Sequence, residues 1–70
     1  MTRVVTATEL GAAIRQARRA QGLRLDDVAL AAGVGIRFVS ELERGKPTVR
    51  LEETLRVLAA VGLHLEVSGA

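Results

Sequence analysis

Glycine limits the length of every regular element this chain can form. Gly22, Gly33, Gly45 and Gly62 interrupt the apolar periodicity at short intervals, each where a helix needs a left-handed residue to stop. The chain therefore reads as several short helices that must bury their apolar stripes against one another. Seventy residues leave room for one such unit, and a chain of that size buries only about 60% of the surface its unfolded form exposes. Cysteine is absent and His64 is the one histidine, so neither disulfides nor zinc can reinforce the core. Hydrophobic residues make up 49%, only 1% is aromatic, and the mean hydropathy is +0.25. That aliphatic surplus points to a second chain as the missing reinforcement.

The helices can be placed from their ends. Thr6 followed by Glu9 fits a capping box, and Leu10, Ile14, Ala17 and Gln21 recur at helical spacing, which predicts a helix over residues 7–21. Leu23, just after Gly22, is placed to fold back on its last turn. Asp26 and Asp27 suit the first turn of a second helix, whose inward stripe is Val28, Ala29 and Ala32. After Gly33, Val34 and Gly35 comes a third over residues 36–44, with Val39 and Leu42 inward and Phe38 beside Leu42. Pro47 pushes Lys46 out of the helical region, and a loop to about Val49 follows. In the fourth helix, which Gly62 closes, Leu51, Leu55 and Leu58 form one apolar line and Val57 with Val61 a second. Leu63 to Val67 alternate apolar and polar residues, the period of a half-buried strand. A lone strand needs a partner, either the segment from Arg3 to Thr6 or its own copy in a second chain.

The residue inventory excludes most catalytic chemistry. There is no cysteine nucleophile, no histidine and carboxylate cluster, no phosphate-binding glycine loop, and Ser40 has no base near it in sequence. No enzyme activity, metal or cofactor is expected. Asp26 and Asp27 read as dipole-complementing residues, and His64 as a solvent-facing or interface residue. Residues 1–6 lack a basic region followed by an apolar core, and the longest uncharged apolar run, residues 28–36, is far below the roughly 18 residues of a membrane span. A cytoplasmic protein is expected. Nine of the ten basic residues are arginine and the isoelectric point is about 10.5, a bias that suits phosphate and base recognition.

The informative pattern is the pair of short helices around a tight glycine turn, the geometry that places a second helix in the DNA major groove. Away from Val39 and Leu42, that second helix presents Ile36, Arg37, Ser40, Glu41 and Arg44, with Gly35 at its start. Arg37 can pair bidentately with guanine O6 and N7, Ser40 can bond several bases, and Ile36 can touch a thymine methyl. An ordinary helical hairpin with a polar outer face is the competing reading.

Ile14-Arg15, Arg18-Arg19, Gly22-Leu23, Val28-Ala29, Ala32-Gly33-Val34, Val39-Ser40 and the run from Leu42 to Pro47 resemble the Cro/phage-repressor (XRE) helix-turn-helix family over residues 9–63. The run from Glu43 to Leu51 and the closing Leu-His-Leu-Glu-Val are most similar to HipB-type antitoxins. The resemblance implies an all-α, lambda-repressor-like four-helix domain with a short C-terminal β-strand that pairs across a homodimer. Residues 1–6 are then an N-terminal arm, 7–62 the DNA-binding domain, and 63–70 the dimerising strand and tail. It places base reading on Gly35, Ile36, Arg37, Ser40 and Glu41, and pairs Arg18 with Glu43 as a partly buried structural ion pair. Where the family has Thr or Ser then Gln at the start of the second helix, this chain has Leu25 and Asp26. Phosphate contact is therefore expected from Arg24, Arg44, Lys46 and Arg50. Val57, Val61, Leu63, Leu65 and Val67 are expected at the dimer interface.

The implied function is a repressor reading a palindromic double-stranded operator as a homodimer. The HipB likeness further implies an autoregulating antitoxin with a HipA-like Ser/Thr kinase toxin as second partner. A stand-alone regulator without a toxin, and a helical adaptor that binds protein and not DNA, are the alternatives. RNA or single-strand binding fits poorly, because Phe38 is the one aromatic residue available for stacking.

Overall fold

Four helices follow one another in the computed structural model, which describes residues 3–69: α1 (Ala7–Ala20), α2 (Leu25–Ala32), α3 (Ile36–Glu43) and α4 (Leu51–Ala60). Residues 1–2 of the expected arm and residue 70 of the expected tail lie outside the described residues. At the start of α1 the Thr6 hydroxyl accepts the Glu9 N–H at 3.1 Å, and the Glu9 carboxylate accepts the N–H groups of Val5 and Thr6 at 2.8 and 3.0 Å. The capping box is thus complete. The backbone donors of Val5 and then Thr6 hold the Glu9 carboxyl below its ordinary pKa. α2 has half of this device: the Asp27 carboxylate accepts the Arg24 N–H at 2.8 Å, and Arg24 offers no side-chain acceptor in return.

All four helices stop by one mechanism. The glycine after the last turn takes φ between 68° and 85°, its N–H bonds three residues back, and the next N–H bonds five residues back. In α1 these are Gly22 to Arg19 at 3.0 Å and Leu23 to Arg18 at 3.1 Å; in α4 they are Gly62 to Ala59 at 3.1 Å and Leu63 to Leu58 at 2.8 Å. This Schellman geometry satisfies carbonyls that would otherwise be orphaned, and it turns Leu23 and Leu63 back onto the core. Two helix ends are further tied by side chains. Gln21 Nε2 donates to the Val61 carbonyl at 2.8 Å, and Arg56 Nε to the Ala32 carbonyl at 2.9 Å.

The core is Ile14, Val28, Ala29, Ala32, Val39, Leu42, Val57, Leu58 and Val61. Phe38, half-buried, packs against it. Val57 and Val61, expected at a dimer interface, are 0% and 2% exposed, whereas Leu51 and Leu55 are 65% and 37% exposed. Of the first apolar line of α4 only Leu58 therefore faces inward, and the second line joins it in the core. Both lines satisfy the helical period, and the rotation about the helix axis that buries Val57, Leu58 and Val61 also brings Arg56 to the end of α2. Thr54, Val57, Leu58 and Val61 then form the inward face, with the buried Thr54 hydroxyl donating to the Arg50 carbonyl at 2.7 Å.

No strand is present among the described residues, and residues 63–69 have no regular structure. Pairing of that tail with the segment from Arg3 to Thr6 is not formed, which corrects one of the two expected partners. The Val5 and Thr6 donors are already spent on the Glu9 carboxylate. Leu63 packs on the core, while Leu65 and Val67 are exposed. No described helix is long and apolar enough to cross a membrane.

Gly11, in the middle of α1, escapes the sequence pattern yet governs how α1 meets α3. A Cβ there would collide with the carbonyl oxygen of Leu42 and come within 2.6 Å of that of Glu43. Because both obstacles are backbone at the end of a helix, they cannot swing aside. Gly11→Ala should accordingly destabilise the domain by about 1–3 kcal/mol or more, although alanine favours helix over glycine by roughly 1 kcal/mol. Thermal unfolding followed by circular dichroism checks this, and an unchanged or raised midpoint would refute the tight contact.

Candidate nucleic-acid interface

The turn between α2 and α3 consists of Gly33, Val34 and Gly35. Gly33, at φ 70°, lets the chain reverse as the α2 carbonyls of Leu30 and Ala29 accept the Gly33 and Val34 N–H groups at 3.3 and 3.0 Å. Val34 packs against the core, and Gly35 is the extended N-cap of α3. A side chain such as Asn could cap there. Glycine instead leaves the start of α3 unobstructed.

The inward side of α3 is Val39, Leu42 and Phe38. The remaining positions bring the expected base-reading residues onto one face. Gly35 is exposed, Ile36 half-exposed, Ser40 half-buried, and the Arg37 side chain is 90% exposed while that of Glu41 is 25% exposed. Arg37 Nε lies 3.6 Å from Glu41 Oε2, and Lys46 Nζ lies 3.5 Å from the same oxygen. Of the expected phosphate contacts, Arg24 pairs with Asp26 at 3.2 Å, and Arg50 meets Glu53 through Nε at 2.8 Å and Nη2 at 3.0 Å. Arg44, the C-cap of α3, is exposed. Phe38, Glu41, Lys46, Thr48, Val49 and Arg50 line a shallow recess beside the end of α3.

Behind this face, Arg18 and Glu43 form a nearly buried two-point pair, with Nε to Oε2 at 2.6 Å and Nη2 to Oε1 at 3.0 Å. The third guanidinium nitrogen, Nη1, donates to the Leu23 carbonyl at 2.9 Å. One side chain of α1 thus holds both the turn into α2 and the last residue of α3. The hydrogen bonding that Arg18 donates to the Glu43 carboxylate raises the Arg18 pKa above its ordinary value. Planar, bidentate geometry of this kind suits arginine and excludes lysine. No cluster of three or more His, Cys, Asp or Glu that could hold a metal occurs among the described residues.

A family model described as a helix-turn-helix domain matches residues 9–68. This chain belongs to the XRE-type helix-turn-helix family. The helix-turn-helix protein is 42% identical over 65 residues, 93% of its length and 86% of the relative's, to an uncharacterised HTH-type transcriptional regulator, y4mF, of Sinorhizobium fredii. Among solved structures, it is similar to the protein of a HipB-O4 20mer complex with a TM-score of 0.90 at 18% identity, covering 100% of this chain and 99% of that one. It is also similar to the restriction-modification controller protein C.AhdI of Aeromonas hydrophila, with a TM-score of 0.74 at 28% identity over 83% of this chain and 88% of that one. The four-helix architecture is thus that of known helix-turn-helix proteins.

Several groups that position the interface of this helix-turn-helix domain are not apparent from pattern alone. Gly11 has one legible signal, a glycine interrupting an otherwise good helix former. The Arg56 and Gln21 anchors have none, since each bonds a backbone carbonyl distant in sequence. The Arg18–Glu43 pair makes a quantitative expectation possible. Arg18→Ala would leave the Glu43 carboxylate enclosed without its partner, and should cost about 3–5 kcal/mol of folding stability. Chemical denaturation measures it directly; a loss below about 1 kcal/mol, the range of an exposed pair, would show that the pair does not organise the domain.

Proposed function

We propose that this chain is a sequence-specific DNA-binding transcriptional repressor that acts as a homodimer, with α3 lying in the major groove. The observation that carries the reading is the division of labour on α3. Val39 and Leu42 are consumed by the core, whereas Ile36, Arg37, Ser40 and Glu41 lie on the outer face of a rod held by the Arg18–Glu43 pair. Arg37 is long and free enough to reach guanine O6 and N7, Ser40 to bond a base edge, and Ile36 to meet a thymine methyl, with Gly35 allowing close approach. Arg24, Arg44, Lys46 and Arg50 are the cations proposed to supply the backbone contacts that set register. Helix-turn-helix dimers of this kind read half-sites about 34 Å apart or a multiple of it.

For the dimer, the exposed Leu65 and Val67 and the half-buried Leu63 support pairing of the tail with its own copy, because the segment is free of intrachain ladder bonds. Leu51 and Leu55 of α4 add exposed apolar surface in place of Val57 and Val61. We further infer an antitoxin role: the likeness to HipB runs the whole length of the chain, tail included, and the terminal Leu-His-Leu-Glu-Val agrees with it. A HipA-like Ser/Thr kinase toxin is then the second partner, and the protein represses its own operon. The alternative of a stand-alone regulator is favoured by the relative y4mF, described only as a transcriptional regulator. Copurification with the product of an adjacent kinase-like reading frame separates the two, and its failure leaves the stand-alone regulator.

Selection of bound duplexes from a random pool tests DNA reading. A consensus of two inverted half-sites is expected, and recovery of no sequence would overturn the function. With that operator in hand, Arg37→Ala should lose about 1–3 kcal/mol of discrimination at one base pair of each half-site, with an unchanged melting curve. Equal weakening on operator and random duplex would refute base readout by Arg37. Removal of residues 64–70, which spares the Leu63 contact with the core, should shift the sedimentation profile toward monomer and weaken operator binding. A dimer of undiminished stability would exclude the tail as its seam.

A further inference from the structure

The end of α3 differs from the other three helix ends in one respect. In this type of stop the residue after the glycine donates its N–H to the carbonyl five residues back, and the two side chains are brought together, usually with an apolar residue in the later position. Leu23, Val34 and Leu63 follow that pattern at the ends of α1, α2 and α4. On α3 the position is Lys46. Its N–H bonds the Glu41 carbonyl at 3.1 Å, so the backbone itself delivers Nζ to within 3.5 Å of Glu41 Oε2. The same oxygen is 3.6 Å from Arg37 Nε, one helical turn earlier. One carboxylate therefore stands between the cation proposed to read a base and a cation proposed to touch a phosphate.

We propose that Glu41 is a specificity-determining residue that acts by positioning Arg37 and Lys46, withholding both from indiscriminate phosphate contact, and does not itself read a base. The proposal rests on the DNA-reading function given above. Affinity for random DNA is governed by how many phosphates a protein neutralises, and a cation already met by a carboxylate releases little counterion. The two pairs are long and open to solvent, so they break readily. In addition, Arg37 precedes Glu41 on the helix, the less favourable order for such a pair. A correctly placed guanine offers the Arg37 guanidinium two acceptors at fixed spacing and replaces what Glu41 provided. On any other sequence the exchange is unfavourable, because opening the pairs leaves the carboxylate facing a polyanion. Glu41 thus lowers binding everywhere and lowers it least on the operator, which is discrimination by exclusion.

Glu41→Gln retains the shape of the side chain and removes its charge, and Glu41→Ala serves as a second variant should the first alter folding. Fluorescence anisotropy of the full chain on the selected operator and on a scrambled duplex of equal length, across a salt series, reads the effect. The scrambled duplex should bind roughly tenfold more tightly at low salt, with a log–log salt slope steeper by about 0.9. The operator should gain less, so that the ratio of the two affinities falls. Introduced into a chain that already carries Lys46→Met, Glu41→Gln should change the slope by less than half as much. If scrambled DNA is bound as before while the operator is lost, Glu41 reads a base and the proposal is overturned. An undiminished slope change in the Lys46→Met chain would overturn it too, since direct repulsion from phosphates would then account for the effect. Failure of the unaltered chain to select any DNA is a separate result, seen before a variant is made, and removes the function and this role together.

Discussion

The Arg18 guanidinium is the point on which the arrangement of helices depends. Its three nitrogens are all engaged, two by the Glu43 carboxylate and one by the Leu23 carbonyl, and so it joins α1, the turn into α2 and the end of α3 in a single rigid plane. Apolar contact alone would not do this in so small a core, because aliphatic side chains such as Val28, Val39 and Leu42 tolerate small rotations of one helix on another. A directed pair does not. The contact of Gly11 with the last carbonyls of α3 completes the constraint, since α1 can approach closely enough for Arg18 to reach Glu43 only where no Cβ intervenes. The polar bond fixes angle, and the missing side chain fixes distance.

From that junction the interface follows. α3 has 8 residues, too few for a helix to be stable by itself, and it presents its outer face only because its inner face and its last residue are held. The outer face is thereby free to carry side chains chosen for DNA and not for folding. Exposure without such support would give Arg37 reach but no register, and a base-reading residue needs both.

What pattern could show and what it could not divides along local and distant causes. The start of α1 was legible because Thr6 and Glu9 act within one turn, and the helix ends were legible because a left-handed residue is needed at Gly22, Gly33, Gly45 and Gly62 whatever surrounds them. The outward set on α3 was legible for a similar reason, since Val39 and Leu42 leave only one face to solvent. The rotation of α4 was not. Leu51 with Leu55 and Val57 with Val61 are equally good helical lines, and the choice between them is made by packing against elements distant in sequence, as the Arg56 bond to a carbonyl 24 positions earlier illustrates. The tail lies beyond pattern for another reason. Alternation in Leu63 to Val67 states what the segment can pair with in general, whereas two donors of the intrachain candidate, those of Val5 and Thr6, are already taken by Glu9.

The burial of Val57 and Val61 in α4 alters how the aliphatic surplus should be understood. With Val57 and Val61 inside the core, the exposed large apolar residues are Leu51, Leu55, Leu65 and Val67, together with Val4, Val5, Leu30 and Ile36 elsewhere. Ile36 lies on the face proposed for DNA, so part of the surplus belongs to recognition and not to association. With no cysteine to form a disulfide, the chain ties its helix ends from within: Gln21 on Val61, Arg56 on Ala32 and Arg18 on Leu23 each bond a carbonyl where a helix stops or a turn begins. Gln21 and Arg56 thus tie helix ends distant in sequence together as cross-links would, but reversibly, and they do so without adding apolar surface that a second copy would have to cover.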